Sequence, residues 1–156
     1  MAKVKVEKTK PVTLAYVEHR GSYDEIPFQK YMEKLYGWAK EKHIRPGLFS
    51  IGIYYDSPDR TPPEKCRSEI GIPIYGEVEP EDDIRIKEVP SMEVATISHK
   101  GPSSDYPKTY DALSKWIAEN GYEWVGPSFE TYTRRPQTIA GRTIFYAKVK
   151  APVRKK

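Results

Sequence analysis

The chain repeats itself, and a repeat of this length constrains the fold more than any single residue does. Tyr16-Val17-Glu18-His19-Arg20-Gly21 returns as Thr96-Ile97-Ser98-His99-Lys100-Gly101, with Ala15 matching Ala95 and Pro27 matching Pro107, all 80 residues apart. Farther along the spacing becomes 78, so that Leu35 meets Leu113, Trp38 meets Trp116, Glu41 meets Glu119, Tyr54 meets Tyr132 and Pro58 meets Pro136. The change of spacing places a loss of two residues inside the second helical region. Matches held across about 45 residues mark two copies of one supersecondary unit folding against each other.

Within each copy the pattern runs strand, helix, strand, strand. Val12 to Glu18 and Met92 to Ser98 alternate and are rich in β-branched and aromatic residues, which predicts a strand in each. Ser22 with Glu25 three residues on is a capping-box signature, and Pro27 suits a first helical turn. Phe28, Met32, Leu35 and Ala39 then share one helical face, with Tyr31 and Trp38 at its margin. Tyr106, Tyr110, Leu113 and Ile117 do the same in the second copy, where Gly121 is placed to end the helix. Phe49 to Tyr55 and Phe129 to Thr133 read as the next strands, Glu69 to Ile74 and Thr143 to Val149 as the last. The expected organisation is one domain of residues 1–156. It holds a first copy at about 8–76, an acidic solvated linker at 77–83, a second copy at 84–150 and a basic tail at 151–156.

Three strands with one helix cover a single face of a sheet. Pairing two copies about a pseudo-twofold axis would cover the rest. The expectation is an α+β fold of two antiparallel sheets with a central cleft, the usual seat of a ligand. Strand alternation assigns the faces: Phe129 and Thr131 share one, Glu130 and Tyr132 the other. With apolar Phe129 turned to the helix, Glu130 and Tyr132 point into the cleft, and Gly52 and Tyr54 hold the matching positions of the first copy. A lone carboxylate beside tyrosines suits a cation, since each aromatic face adds about 0.5 to 2 kcal/mol of cation–π energy. An exposed glutamate on an edge strand is the plainer reading of the same spacing.

Composition removes other classes. No apolar run nears the roughly 20 residues of a membrane helix, and Met1 to Lys10 lacks a signal peptide's apolar stretch, so a cytoplasmic protein with no membrane partner is expected. Cys66, the single cysteine, forms neither an internal disulfide nor a zinc-thiolate cluster. His19 and His99 stand at equivalent places before a glycine without further ligands, which suits hydrogen-bonded turns, and no metal or cofactor is expected. The formal charge of +4 is terminal. Setting aside the 10 basic and 1 acidic residues of 1–10 and 142–156 leaves 16 basic against 21 acidic, a body of net −5. No basic stripe with interleaved aromatics crosses that body, so direct nucleic-acid binding is not expected, and a cationic partner is favoured.

Several phrases resemble a known family. His99-Lys100-Gly101-Pro102, the helix end Lys115-Trp116-Ile117-Ala118-Glu119-Asn120-Gly121-Tyr122, and Pro127-Ser128-Phe129-Glu130-Thr131-Tyr132 look like the second half of the GyrI-like small-molecule-binding domain. This is the effector-binding module of multidrug-responsive and AraC-type transcription regulators. His19-Arg20-Gly21-Ser22-Tyr23, Gly52-Ile53-Tyr54-Tyr55-Asp56-Ser57-Pro58 and Cys66-Arg67-Ser68-Glu69 look like its first half, so the resemblance covers roughly residues 8–150. It implies a tandem pair of units. It also implies a pocket floored by the glutamate of a Glu-x-Tyr motif, here Glu130, which meets cationic aromatic drugs. By position Tyr106 and Tyr146 are implied as aromatic walls, with Tyr23, Tyr54, Trp116 and Tyr132 as further lining. Only about 11 residues precede the first strand, no room for the regulators' DNA-binding domain, so the resemblance is to stand-alone members. The role implied is binding or sequestration of lipophilic, cationic aromatic small molecules. One alternative is a hydrolase of cyclopropane-bearing compounds, with Glu130 as base and Tyr106 or Tyr146 orienting water. Another is a protein-interaction role such as gyrase modulation, with a protein partner that the residues do not identify.

Overall fold

The computed structural model describes residues 3–156. In chain order its elements are β1 (Lys5–Lys8), β2 (Val12–Arg20), α1 (Phe28–Glu41), β3 (Arg45–Pro46), β4 (Ile51–Tyr54), β5 (Arg67–Tyr75), β6 (Arg85–Val89), β7 (Glu93–Gly101), α2 (Tyr106–Glu119), β8 (Tyr122–Trp124), β9 (Ser128–Ile139) and β10 (Arg142–Lys155). The architecture is α+β, mostly antiparallel sheet with two helices. No helix among the described residues is long and apolar enough to cross a membrane.

The chain divides into two compact units, one of residues 10–91 and one of residues 3–9 with 92–156. In the first, antiparallel strands lie in the order β6-β2-β5-β4, with β3 also on β5. Alternation puts Ala15 and Val17 of β2 and Ile70, Ile72 and Ile74 of β5 on one face, where α1 lays Leu35, Trp38 and Ala39. Full burial of each valine, leucine or isoleucine there stabilises by about 1.5 to 3 kcal/mol, so this layer holds the unit together. In the second unit the order is β1-β7-β10-β9, with β8 on β10. There Ala95, Ile97, Val149, Ala151 and Val153 meet Leu113 and Ile117 of α2.

Both units run through the same order: strand, 3₁₀ turn, helix, short strand, strand, strand. The 3₁₀ turns Tyr23–Glu25 and Ser103–Asp105 stand 80 residues apart, whereas the 14-residue helices start 78 apart. The two missing residues therefore lie between turn and helix, not inside the helix as the spacing suggested. Ile26 and Pro27 fill that gap in the first unit, and in the second Asp105 passes directly into Tyr106. Pro27 is accordingly the N-cap of α1 while Pro107 sits inside α2, so the two are not counterparts. The Ser22 hydroxyl caps the 3₁₀ turn through Asp24 N at 3.3 Å, one element earlier than the capping-box reading placed it.

Three further boundaries differ from expectation. β1 precedes β2 in sequence yet pairs with β7, and β6 precedes β7 yet pairs with β2, so the units divide near residues 9 and 91 and not within 77–83. The stretch expected to be a solvated linker is exposed at 77 and 79–83 but is tied down. Val78 packs on the core, Ile84 is buried, and Asp83 and Glu81 are paired with Lys34 and Lys42 of α1 and its C-cap. The expected basic tail is strand. Ala151 and Val153 are buried, Val153 pairs with Trp124, and Arg154 donates to Glu123 at 2.7 Å.

Candidate functional site

The register of β9 on β10 sets Glu130 opposite Val149, and Val149 belongs to the core under α2. Paired residues share a face, so the Glu130 side chain lies on the helix-covered side of its sheet, where it is only 7% exposed. This reverses the expectation that Phe129 would face the helix and Glu130 the opposite side. The cause is on the helix. Tyr106 and Tyr110, one turn apart, bring hydroxyls along with their rings, and a buried tyrosine hydroxyl seeks an acceptor.

The Tyr110 hydroxyl donates to Glu130 Oε2 at 2.6 Å and stands 3.2 Å from Ser128 Oγ. The Tyr132 hydroxyl donates to Glu130 Oε1 at 3.0 Å, and Tyr106 supplies a third bond to the same carboxylate. Burial pushes the Glu130 carboxyl above the usual carboxylate range, although all three tyrosine bonds pull the other way. Burial, with the Glu130 charge behind it, raises the Tyr106 hydroxyl too. Among the described residues no cationic side chain forms an ion pair with Glu130.

Rings complete the surroundings. His99 stacks on Tyr106 with centroids 3.8 Å apart and planes 9° apart, and its nitrogens are held by Thr109 Oγ1 at 2.7 Å and Gly101 O at 3.3 Å. Burial lowers the His99 pKa below its ordinary value, which favours the neutral ring. Phe145 lies 6.4 Å from Tyr106, and Trp124 stacks on Tyr110 at 6.2 Å. The result is a desolvated carboxylate held by neutral donors and walled by aromatic faces. Such a group attracts an organic cation strongly, because little water screens it and ring faces stabilise positive charge.

Of the residues the sequence singled out, Tyr106 and Tyr132 are brought to Glu130 and the others are not. Tyr146 pairs with Lys100 and Arg134 in the register, next to Ala147, which pairs with His99, and so it faces away from α2. Its hydroxyl donates to Gln137 at 2.7 Å, and the Arg134 guanidinium lies 4.6 Å from its ring. Trp116 stacks on Tyr122 at the edge of the α2 core. Tyr23 and Tyr54 belong to the first unit, where they meet edge to face at 4.9 Å. The Tyr23 hydroxyl is pushed up to about 12 by burial and bonds Arg67 O at 2.9 Å. Tyr54 is core beneath α1. Tyr110, Ser128 and His99 were missed as site residues. The signal for Tyr110 was its place four residues after Tyr106, which the pattern counted as apolar stripe.

Comparison with known proteins bears on the family and the fold. Testis-expressed protein 264 of Homo sapiens is 32% identical over 133 residues, covering 83% of this chain and 39% of that protein. The chain thus spans about two fifths of that relative's length. The DNA gyrase inhibitor of Escherichia coli is 28% identical over 109 residues, 67% of this chain and 69% of that one. Among solved structures, the C-terminal domain of EcmrR matches with a TM-score of 0.80 at 15% identity, covering 100% of this chain and 99% of that one. SAV2435, solved bound to tetraphenylphosphonium, matches with a TM-score of 0.60 at 11% identity over 97% of this chain and 94% of that one. At such identities the structural likeness establishes the fold alone. The sequence itself matches a family over residues 2–154, and by that match the chain belongs to the GyrI-like small molecule binding domain family.

Proposed function

We propose that this small-molecule-binding domain takes lipophilic aromatic cations, with Glu130 as the charge anchor and Tyr106, Tyr110 and Tyr132 around it. The observation that carries the reading is a carboxylate 7% exposed whose partners are tyrosine hydroxyls rather than a cationic side chain. Burying a carboxylate without a counter-ion costs several kcal/mol, and a cationic ligand offsets that cost in a way that an apolar ligand does not. That a structural neighbour was solved with tetraphenylphosphonium, itself such a cation, supports the choice of probe.

Isothermal titration with tetraphenylphosphonium is the test, run beside triphenylphosphine oxide as a neutral compound of similar shape. The wild type is expected to bind the cation and not the oxide, and Glu130→Gln to bind the cation about tenfold or more weakly, a loss of about 1.4 kcal/mol. Equal affinity in the variant would show that the anchor lies elsewhere. Binding of both compounds alike would show that charge is not what the site recognises.

A further inference from the structure

The first unit holds a second constellation, on the sheet face opposite α1, that the Glu130 site does not use. Leu14 pairs with Lys87 and Glu18 with Glu69, so Tyr16 of β2, Glu69 of β5 and Lys87 of β6 share the face that Ala15, Val17 and Ile70 do not. They converge on one ammonium. Lys87 Nζ is paired with the Glu69 carboxylate, lies 3.0 Å from the Tyr55 hydroxyl, and sits 4.7 Å from the centre of the Tyr16 ring and 5.7 Å from that of Tyr55. The Tyr55 hydroxyl in turn donates to Glu69 Oε1 at 2.7 Å, which fixes the cage whether or not an ammonium is present.

One carboxylate already balances the charge of Lys87, whose side chain is 28% exposed. Two ring faces, a hydroxyl acceptor and a carboxylate 14% exposed together make the recognition set of an alkylammonium ion. A depression of about 740 Å³ runs past the same Tyr16, lined also by Glu18, Asp82, Asp83 and Arg85, with Glu18 paired to Arg85 and Asp83 to Lys34.

We propose that the first unit carries a second cation site, built from Tyr16, Tyr55 and Glu69, which takes a primary alkylammonium ion and which Lys87 closes as a tethered occupant. It shares no residue with the Glu130 site. The tether gives Lys87 an effective concentration of about millimolar or above, so a free amine at micromolar level leaves the wild type closed. Removing the lysine side chain opens the cage to an external ammonium.

Chemical rescue tests this. Lys87→Ala is expected to melt below the wild type, and n-butylammonium chloride at tens of millimolar to recover about half of the lost melting temperature, beyond what sodium chloride of equal ionic strength recovers. The wild type, whose cage Lys87 already holds, should gain less from the amine over sodium than Lys87→Ala does, and Lys87→Ala/Glu69→Gln should lose the rescue. Adding Glu130→Gln to Lys87→Ala should leave the rescue intact, which separates this site from the other. If Lys87→Ala is recovered unfolded, refolding with butylammonium against sodium is the same test: a higher folded yield with the amine supports the site, and equal failure overturns it. No rescue in Lys87→Ala, rescue that survives Glu69→Gln, or rescue abolished by Glu130→Gln would each overturn it as well.

Discussion

Glu130 shows at the scale of one residue how a site opposes stability. Its carboxyl is neutral to higher pH in the folded chain than in the unfolded one, since burial raises its pKa above the ordinary value. Its contribution to stability is therefore complete below the unfolded carboxyl range and is lost as pH rises through the raised folded value. Glu130→Gln removes a cost that exists only when the group is ionised. At pH 7.5 without ligand the variant is expected to melt about 2 to 4 °C above the wild type, the shift that about 1 kcal/mol makes in a chain of this size. At pH 4 the two should coincide, and calorimetric scans at both values are the check. A variant less stable than the wild type at pH 7.5 would mean that the tyrosine bonds, not burial, dominate. Part of this was legible beforehand, because Glu130 and Tyr132 stand out as a polar pair in a strand. Its facing was not, since alternation gives two faces and says nothing of which one a helix covers.

At the scale of elements, β10 does what the sequence reading denied to its end. Residues 151–156 look like a solvated basic tail by composition, yet Ala151 and Val153 are buried and the strand runs to Lys155. Just upstream Lys148 and Lys150 alternate with buried Val149 and Ala151, since one face of a strand can be charged while the other is core, and burial then continues through Val153 before the basic run Arg154 to Lys156. A chain stopped after Lys150 is expected to lose Val153's burial, about 1.5 to 3 kcal/mol, and the pairing with β8 as well. Its melting temperature should fall by more than about 5 °C, while a stop after Arg154 should change it by less than about 1 °C. Equal melting of the two truncations would show that the last strand turn is idle. The repeat predicted the two helices well because their apolar spacing is local. Short β3 and β8 and edge strands β1 and β6 escaped, since strands of 2 to 5 residues take their stability from a neighbour rather than from their own pattern.

For the whole molecule, titration and binding are one linked property. Tetraphenylphosphonium carries no titratable proton, so any pH dependence of its affinity belongs to the protein. Affinity is expected to fall about tenfold per pH unit once pH drops below the Glu130 carboxyl's folded value, because the neutral acid no longer attracts the cation. His99, whose pKa burial has lowered, becomes cationic only in acid and pushes in the same direction. Glu130→Gln should show a weak affinity with a much shallower pH profile, and titration calorimetry from pH 4.5 to 8 reads both curves. A flat wild-type profile would place the charged group elsewhere. The net charge misleads at this scale. Lys148 is paired with Glu7 and Arg154 with Glu123, so part of the terminal basicity is consumed inside the second unit. What the sequence determined by itself was everything carried by local spacing: the order of elements, the apolar stripes of α1 and α2, and the presence of one glutamate among tyrosines. Only the tertiary structure decided that α2 covers Glu130, that Tyr110 rather than Tyr146 meets it, and that Lys87 fills a cage of its own. Those outcomes depend on which strands become neighbours and how their registers align, and contacts between residues distant in sequence have no period along the chain from which to be read.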